Sequence, residues 1–448
     1  MSIVELETKC YRECLEYGRK KLLEELKVRD EALAKERDKS RYRNKGFADT
    51  CIKTLMGPVE FRRRRYYDTE DGKFVFLLDE DLEMGGFGKI SPTVAVLAVK
   101  AASEATYREA AREITDVTGL SISHQTVWDL TQTAGGKLRE TESTTGEKKT
   151  KILFEEADGI WLHLQGKDRK THGKSAEMKI AISYDGIEKA NKGKRRICDG
   201  KTACAGIMPV EEFRRKIERT VRSVYDTEAI DTRVLNGDGA EWIFSRGDHV
   251  IKQLDIYHRN KALITGISDK GLRKEITSKL YEKDISGALG LIEAYMNSIE
   301  DEDKRIKAKG LYNYYSNNRD KLINYNRRGL KLPEINKGLS YARLGAMESN
   351  VFSLIGNRMK GHRKSWSIEG ANNMAEILCL KHTGRLDEAL KKIDMPVNCF
   401  EEEDDTNSIL SSWQMPETVG KGYNGYKTAD LTHLSTGAYA VIRRTLEI

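Results

Sequence analysis

Proline is scarce in this chain, six among 448 residues, and cysteine numbers only seven. So little proline disfavours collagen-like or proline-rich linker architecture and suits long helices. The cysteines (Cys10, Cys14, Cys51, Cys198, Cys204, Cys379 and Cys399) are odd in number and widely scattered. That fits a reducing compartment better than a disulfide framework. Cys10 and Cys14 stand one helical turn apart, but no second Cys or His pair lies nearby at zinc-ligand spacing. No stretch approaches the ~18 apolar residues that a membrane span needs. The best candidate, Val94 to Ala102, is short and contains Lys100. The N-terminus is charged from Glu5 onward and lacks the apolar core of a signal peptide. A soluble cytoplasmic protein without a membrane partner is the expectation.

What is abundant is charge. Charged residues make up 33% of the chain, above the usual ~25%. Lys and Arg number 77 against 70 Asp and Glu, a net charge of 77 − 70 = +7. The length suggests two to four domains at ~100–200 residues each. The basic residues are clustered: Met1 to Tyr66 holds 18 Lys/Arg against 12 Asp/Glu, and Arg62, Arg63, Arg64 and Arg65 form the densest run. Clustering on one face matters more for polyanion binding than the total does.

Residues 2–40 read as one or two charged helices, followed by a basic link over 39–46. Residues 50–79 look extended, with Met56-Gly57-Pro58 as the turn between two strands. Alternation would put Arg62 and Arg64 on one face and Arg63 and Arg65 on the other. That strand is either a solvated edge protected by charge or a phosphate-contacting ribbon. Residues 91–140 return to helix. Tyr107 to Ile114, a Gly119 turn and Ser123 to Leu130 match a helix-turn-helix, with His124 and Gln125 opening the second helix; a plain helical hairpin has the same pattern. Gly135-Gly136 and the polar run to Thr150 read as a linker.

From 151 strands dominate. Extended runs fall at Lys151–Gln165, Ala176–Tyr184, Thr202–Met208, Thr232–Leu235 and Val250–Leu254, with an amphipathic helix over Val210–Tyr225. This alternation describes an α/β layer architecture. Residues 259–345 read as an inserted helical subdomain, and helix resumes at Met347–Lys360 and Ile368–His382. The tail after 385 is mixed, with a solvated acidic loop at Glu401–Asp405.

Three carboxylates sit where chemistry is plausible. Asp158 shares a strand face with Phe154, Glu156, Ile160, Leu162 and Leu164, and a carboxylate in such an apolar series is costly to bury without a partner. Asp238 follows a short strand in a Gly-lined turn, a standard site position in α/β sheets; the alternative is a loop Asp capping the next helix. Glu348 shares a helical face with Phe352, Ile355 and Met359, or simply complements a helix N-terminus. Asp255 and His258 form an Asp-x-x-His at the end of the fifth strand. Asp185-Gly186 reads as a hairpin turn. Converging carboxylates are what hard divalent cations need.

The segments Phe154–Trp161, Leu235–Ile243, Gln253–Lys261, Met347–Phe352 and Ser365–Asn373 occur in the order found in one family. Through them the chain resembles bacterial insertion-sequence transposases of the ISLre type, distant relatives of Mutator-like transposases. The family continues the Glu348 motif with His-Val-Trp, where this chain has Asn350-Val351-Phe352. The resemblance implies a ribonuclease-H-like core, split by an all-α insertion and preceded by helical and β-hairpin DNA-binding modules. The implied division is 1–89 and 90–150 for those modules, 151–258 and 346–385 for the core, 259–345 for the insertion and 386–448 for the tail.

The resemblance further implies an Asp158, Asp238 and Glu348 triad holding two Mg²⁺ (or Mn²⁺) ions, supported by Asp255 and His258. The implied activity is cleavage of element ends and strand transfer on double-stranded DNA, by a homodimer or higher oligomer associated with the nucleoid. Arg62–Arg65, His124, Gln125, Lys331, Arg343, Arg358, Lys360, Arg363 and Lys364 would contact DNA, and Trp366 is either a base-stacking or a core residue. An immobile, domesticated DNA-binding protein and a metal-dependent nuclease lacking strand transfer are the alternatives.

Overall fold

The computed structural model describes residues 1–82, 84, 90–141, 145–188, 197–244, 250–361 and 363–393. Cys399 and the acidic run Glu401–Asp405 lie outside them. The chain divides into two units, Met1–Thr141 with the segment from Leu386, and Glu142–Arg385.

The first unit opens with one helix, α1 (Ile3–Glu36), started by a reciprocal Ser2/Glu5 capping box. Leu26 joins Ile52, Val59, Phe61 and Leu78 in a small core between this helix, an antiparallel sheet of β1 (Tyr42–Thr54), β2 (Gly57–Asp68) and β3 (Lys73–Val75), and the short α2 (Leu77–Asp81). Most of the basic link is therefore strand, because Tyr42, Arg43 and Asn44 pair with Asp68, Tyr67 and Tyr66. Three helices follow. In α3 (Pro92–Glu104) Ser91 caps the N-terminus and Pro92 occupies the first turn. Helix α4 (Tyr107–Thr118) has a Thr106/Glu109 capping box and stops at Gly119, whose φ of 69° suits the left-handed C-cap.

Helix α5 (His124–Glu140) runs through Gly135 and Gly136, so the expected linker there is a helix interior. Packing of Val127, Leu130, Thr131, Ala134 and Leu138 overrides the poor helix propensity of the two glycines. A Cβ added at Gly136 meets nothing within 4 Å. Gly136→Ala should therefore stabilise the chain by about 0.5–1 kcal/mol, read as a rise in Tm.

The second unit is a mixed α/β arrangement. Its main sheet has the order β10-β9-β4-β5-β8. The strands are β4 (Ile152–His163), β5 (Ser175–Tyr184), β8 (Thr202–Gly206), β9 (Thr232–Gly237) and β10 (Val250–Leu254). The first three are successively antiparallel, whereas β9 is parallel to β4 and β10 to β9. Helix α6 (Gly166–His172) joins β4 to β5. Two short strands, β6 (Gly186–Glu188) and β7 (Cys198–Asp199), form a second sheet with β11 (Leu339–Ser340).

Asp185 is thus not a hairpin turn. It is a fully buried corner where the chain leaves one sheet for another, and Lys148 Nζ lies 2.9 Å from its carboxylate. The segment around Lys148 belongs to this unit rather than to a free linker: the Gly146 and Lys148 amides donate to the Arg222 and Val224 carbonyls.

Helix α7 (Val210–Arg222) supplies Phe213, Ile217 and Val221 to a core with Leu153, Ala157, Ala181 and Leu235. Since side chains alternate along a strand, Glu156 and Asp158 project to the other face. After the one-turn α8 (Glu241–Phe244) come α9 (Ile256–Gly266), α10 (Lys270–Tyr281), α11 (Ile285–Ser298) and α12 (Glu302–Asn317). The helical stretch ends there. From 318 to 346 the chain is irregular apart from 3₁₀ turns and β11, so the expected helix over 259–345 covers only its first part. Helix then resumes as α13 (Met347–Asn350), a π-helical stretch Val351–Gly356 and α14 (Asn357–Met359), followed by α15 (Ile368–His382). In the first unit α16 (Leu386–Lys392) closes the described chain, with Asp387 paired to Lys100 at 2.7 Å.

Candidate functional site

Strand register builds the site. Glu156 of β4 stands opposite Asn236 of β9, and the two strands run parallel. Two residues further along each chain come Asp158 and Asp238. The two-residue period therefore carries both carboxylates toward the same side of the sheet, Asp158 within β4 and Asp238 just past the C-terminal end of β9. Asp158 lies inside β4, opposite Ile180, and not in a turn. Its carboxylate accepts the Gly159 amide at 2.7 Å. Asp238 leaves β9, and its carboxylate accepts the Ala240 amide at 2.9 Å. The capping role is therefore real, while Tyr314 hydroxyl donates to the Asp238 carbonyl from α12.

The first turn of α9 faces these groups. Asp255 is its N-cap, accepting the Tyr257 and His258 amides at 2.9 and 3.2 Å. That cap fixes the directions of Tyr257 and His258. His258 Nε2 lies 3.7 Å from the Asp158 carboxylate. Its imidazole pKa is raised chiefly by the Asp158 carboxylate beside it, opposed by burial and reinforced by the charges of Asp255 and Asp238. The Glu348 carboxylate is close enough to Tyr257 to raise its phenol pKa. Asp158 thus stands beside His258, while the Glu348 charge acts on the neighbouring Tyr257.

Glu348 does not sit on an inward apolar face. It is exposed, as is Phe352 at 65%, while Ile355 and Met359 are fully buried. The π-helical stretch changes the phase between residues 352 and 355, so the regular helical spacing that joined them does not hold.

Glu156 is the functional candidate that sequence reasoning passed over. It is fully buried, and four donors meet its two oxygens. Tyr184 hydroxyl and the Ala346 amide reach Oε1 at 2.6 and 3.2 Å, and the Asn236 and Gly345 amides reach Oε2 at 3.0 and 2.7 Å. Burial pushes its carboxyl pKa up, and these donors pull against that shift. Asn236 Nδ2 also reaches Asp255 at 2.8 Å. One buried network therefore ties β4, β9, the α9 cap and the residues just before Glu348. The available signal was its place two residues from Asp158 on the same strand face.

Among the described residues no three His, Cys, Asp or Glu side chains stand together as a ready-made metal site. Asp158 and Asp238 still offer the hard oxygen donors that suit Mg²⁺, which takes one or two carboxylates and keeps several waters.

The basic positions divide. Arg63 pairs with Asp79 at 2.6 Å and Arg64 with the buried Asp30, so two of the four run residues serve the fold. Arg62 and Arg65 are exposed; Arg62 pairs with the exposed Asp49, and Arg65 lies over Phe74. His124, Gln125, Lys331, Arg343, Lys360 and Arg363 are exposed, and Lys364 is half-buried. Arg358 is buried with its guanidinium over the Trp366 ring, which removes it from any surface role. Trp366 is itself core, 6% exposed, with Nε1 donating to the Met359 carbonyl at 2.9 Å. No helix among the described residues is long and apolar enough to cross a membrane.

Comparison with known proteins gives three results. One solved structure, the Drosophila P element transposase strand transfer complex, aligns over 71% of this chain and 84% of its own at 10% identity. Its TM-score is 0.21, too low to carry an argument. A UPF0236 protein of Caldanaerobacter subterraneus subsp. tengcongensis is 25% identical over 339 residues, which is 74% of this chain and 68% of the relative. Another relative from that organism, 25% identical over 337 residues, bears a single name that joins eleven locus designations. A UPF0236 protein from the vanSb 3' region of Streptococcus gallolyticus is 24% identical over 360 residues, 78% of this chain and 76% of its own. The family described as "Uncharacterised protein family (UPF0236)" matches residues 1–394, and this chain belongs to it.

Proposed function

We propose that the second unit is a ribonuclease-H-like phosphoryl-transfer core and that the chain is the transposase of an insertion sequence. The observation that carries this reading is the placement of the acids. Asp158 lies on the first strand of the five-stranded sheet, Asp238 directly follows the fourth, and Glu348 comes after four inserted helices. Asp158 lies 3.7 Å from His258 Nε2, and the Glu348 charge is felt by the adjacent Tyr257. A relative present at eleven loci under one name also suits a self-copying DNA segment.

In this reading Asp158 and Asp238 would hold Mg²⁺, with Glu348 completing the set. When bound, the metal would lower the pKa of a water or hydroxyl nucleophile and neutralise charge at phosphorus. Asp255 keeps the α9 turn in place, and Glu156 anchors the approach to Glu348. Exposed Arg62, Arg65, Lys360 and Arg363 would meet the DNA backbone, so the logarithm of the binding constant should fall linearly with the logarithm of the salt concentration.

The decisive experiment incubates purified full chain with DNA carrying the inverted ends that flank its gene, plus Mg²⁺. End nicking followed by joined products is the expected result. Nicking without joining would leave a nuclease, and binding alone would leave a DNA-binding protein.

A further inference from the structure

Only Leu15, Leu26 and Asp30 of the 34-residue α1 are buried. Its inner side serves the neighbouring hairpin, yet its outer side is not polar. Ile3, Leu6, Tyr17 and Val28 are 74%, 45%, 71% and 62% exposed, and Cys10 and Cys14 are exposed with them. The steps from Ile3 to Leu6, Cys10, Cys14 and Tyr17 are each three or four residues, so these side chains form one stripe. A helix with apolar stripes on opposite sides has more surface to bury than its own hairpin covers.

Charge narrows what can cover it. Helix α1 carries eight basic and nine acidic residues, 8 − 9 = −1, in a chain whose total is +7. A polyanion or an anionic membrane is therefore a poor match for this face. The flanks mix both signs at helical spacing, as in the Lys9–Glu13 and Glu16–Lys20 pairs. The stripe's own steps of 3, 4, 4 and 3 residues are symmetric about Cys10, so an antiparallel second copy of the helix presents the same stripe in the same order.

We propose that the outer face of α1 is a homotypic interface, occupied by α1 of a second copy of this chain. An antiparallel pair centred on Cys10 sets Ile3 against the partner's Tyr17, Leu6 against the partner's Cys14, and Cys10 against the partner's Cys10. Apolar residues then meet apolar ones, and the contact is reciprocal as two-fold symmetry requires. This interface is independent of the chemistry proposed for the second unit.

Size-exclusion chromatography with light scattering on the full chain tests it. The expected species is a dimer. The double variant Leu6→Lys/Tyr17→Lys should weaken dimerisation by at least about 100-fold, because each substitution places an ammonium group in the interface. Its Tm at a concentration where both proteins are monomeric should be unchanged, since both replaced side chains are exposed. Cysteine chemistry reads the register. In a Cys399→Ser background, mild oxidation should cross-link Cys14→Ser through Cys10 and should leave Cys10→Ser uncross-linked. A monomeric wild-type chain overturns the proposal, and slow alkylation of Cys10 in that monomer assigns the stripe to a segment of the same chain. A dimer that survives Leu6→Lys/Tyr17→Lys overturns it as well.

Discussion

Glu156→Ala should lower the free energy of unfolding by at least about 4 kcal/mol, measured by urea unfolding of the full chain. The carboxylate is fully buried and satisfies four donors, namely Tyr184 hydroxyl, the Asn236 side chain and the Gly345 and Ala346 amides. Each buried donor left without a partner costs about 1–3 kcal/mol, and water entering the vacated space recovers only part of that. Glu156→Gln separates shape from charge. It fills the same volume, but its amide NH₂ faces donors where an oxygen had accepted, so a loss of about 2 kcal/mol is expected. A local readout accompanies both variants: hydrogen exchange at the Gly345 and Ala346 amides should quicken ahead of the rest of the sheet. Losses under about 1 kcal/mol for Glu156→Ala would show that this network holds nothing.

Why Glu156 escaped notice while Asp158 did not is a matter of where the information lies. Strand periodicity put Glu156 and Asp158 on one face, and that much was legible in the sequence. Which of two acids is buried depends on Tyr184, Asn236 and Gly345, contributed by three other segments of the chain. The arginine run behaves alike. Alternation correctly placed Arg62 with Arg64, since both lie over Phe47, and Arg63 apart from them over Phe76. It could not reveal Asp30 and Asp79, distant in sequence, which turn two of the four into internal ion pairs.

Helix interruptions were hidden for a related reason. A π-helical stretch inserts a residue without a proline or glycine signature at its start, so regular helical spacing puts Phe352 on the same face as the buried Ile355 and Met359, where the structure does not. Gly135-Gly136 misled in the opposite sense, because tertiary packing sustains a helix where local propensity favours a break. Element types in the main sheet were legible because apolar runs bounded by turn residues need no long-range knowledge. The buried partners of charged residues were not.

Asp158→Ala, Asp238→Ala and Glu348→Ala should each cut Mg²⁺-dependent end nicking by about a thousandfold or more. Metal-borne charge stabilisation is worth several kcal/mol in a transition state, and ~4 kcal/mol corresponds to about a thousandfold in rate. DNA affinity should stay within a few-fold of wild type, since the phosphate contacts that set it come from Lys and Arg elsewhere. Gel-based nicking and filter-binding assays on the same preparations separate the two.

The bland roles of these residues predict something quite different. As a cap of the α8 turn, Asp238 is worth about 1 kcal/mol of stability and nothing in catalysis. As an exposed surface acid beside Tyr257, Glu348 has no part in catalysis. Tyr257→Phe makes the comparison sharper, because it removes the hydroxyl nearest Glu348 while leaving the carboxylate free to bind metal. It should nick DNA at a rate within about tenfold of wild type, whereas Glu348→Gln should not nick at all. Full nicking by Asp238→Ala, or equal losses in Tyr257→Phe and Glu348→Gln, would remove the carboxylates from the chemistry and leave them as parts of the scaffold.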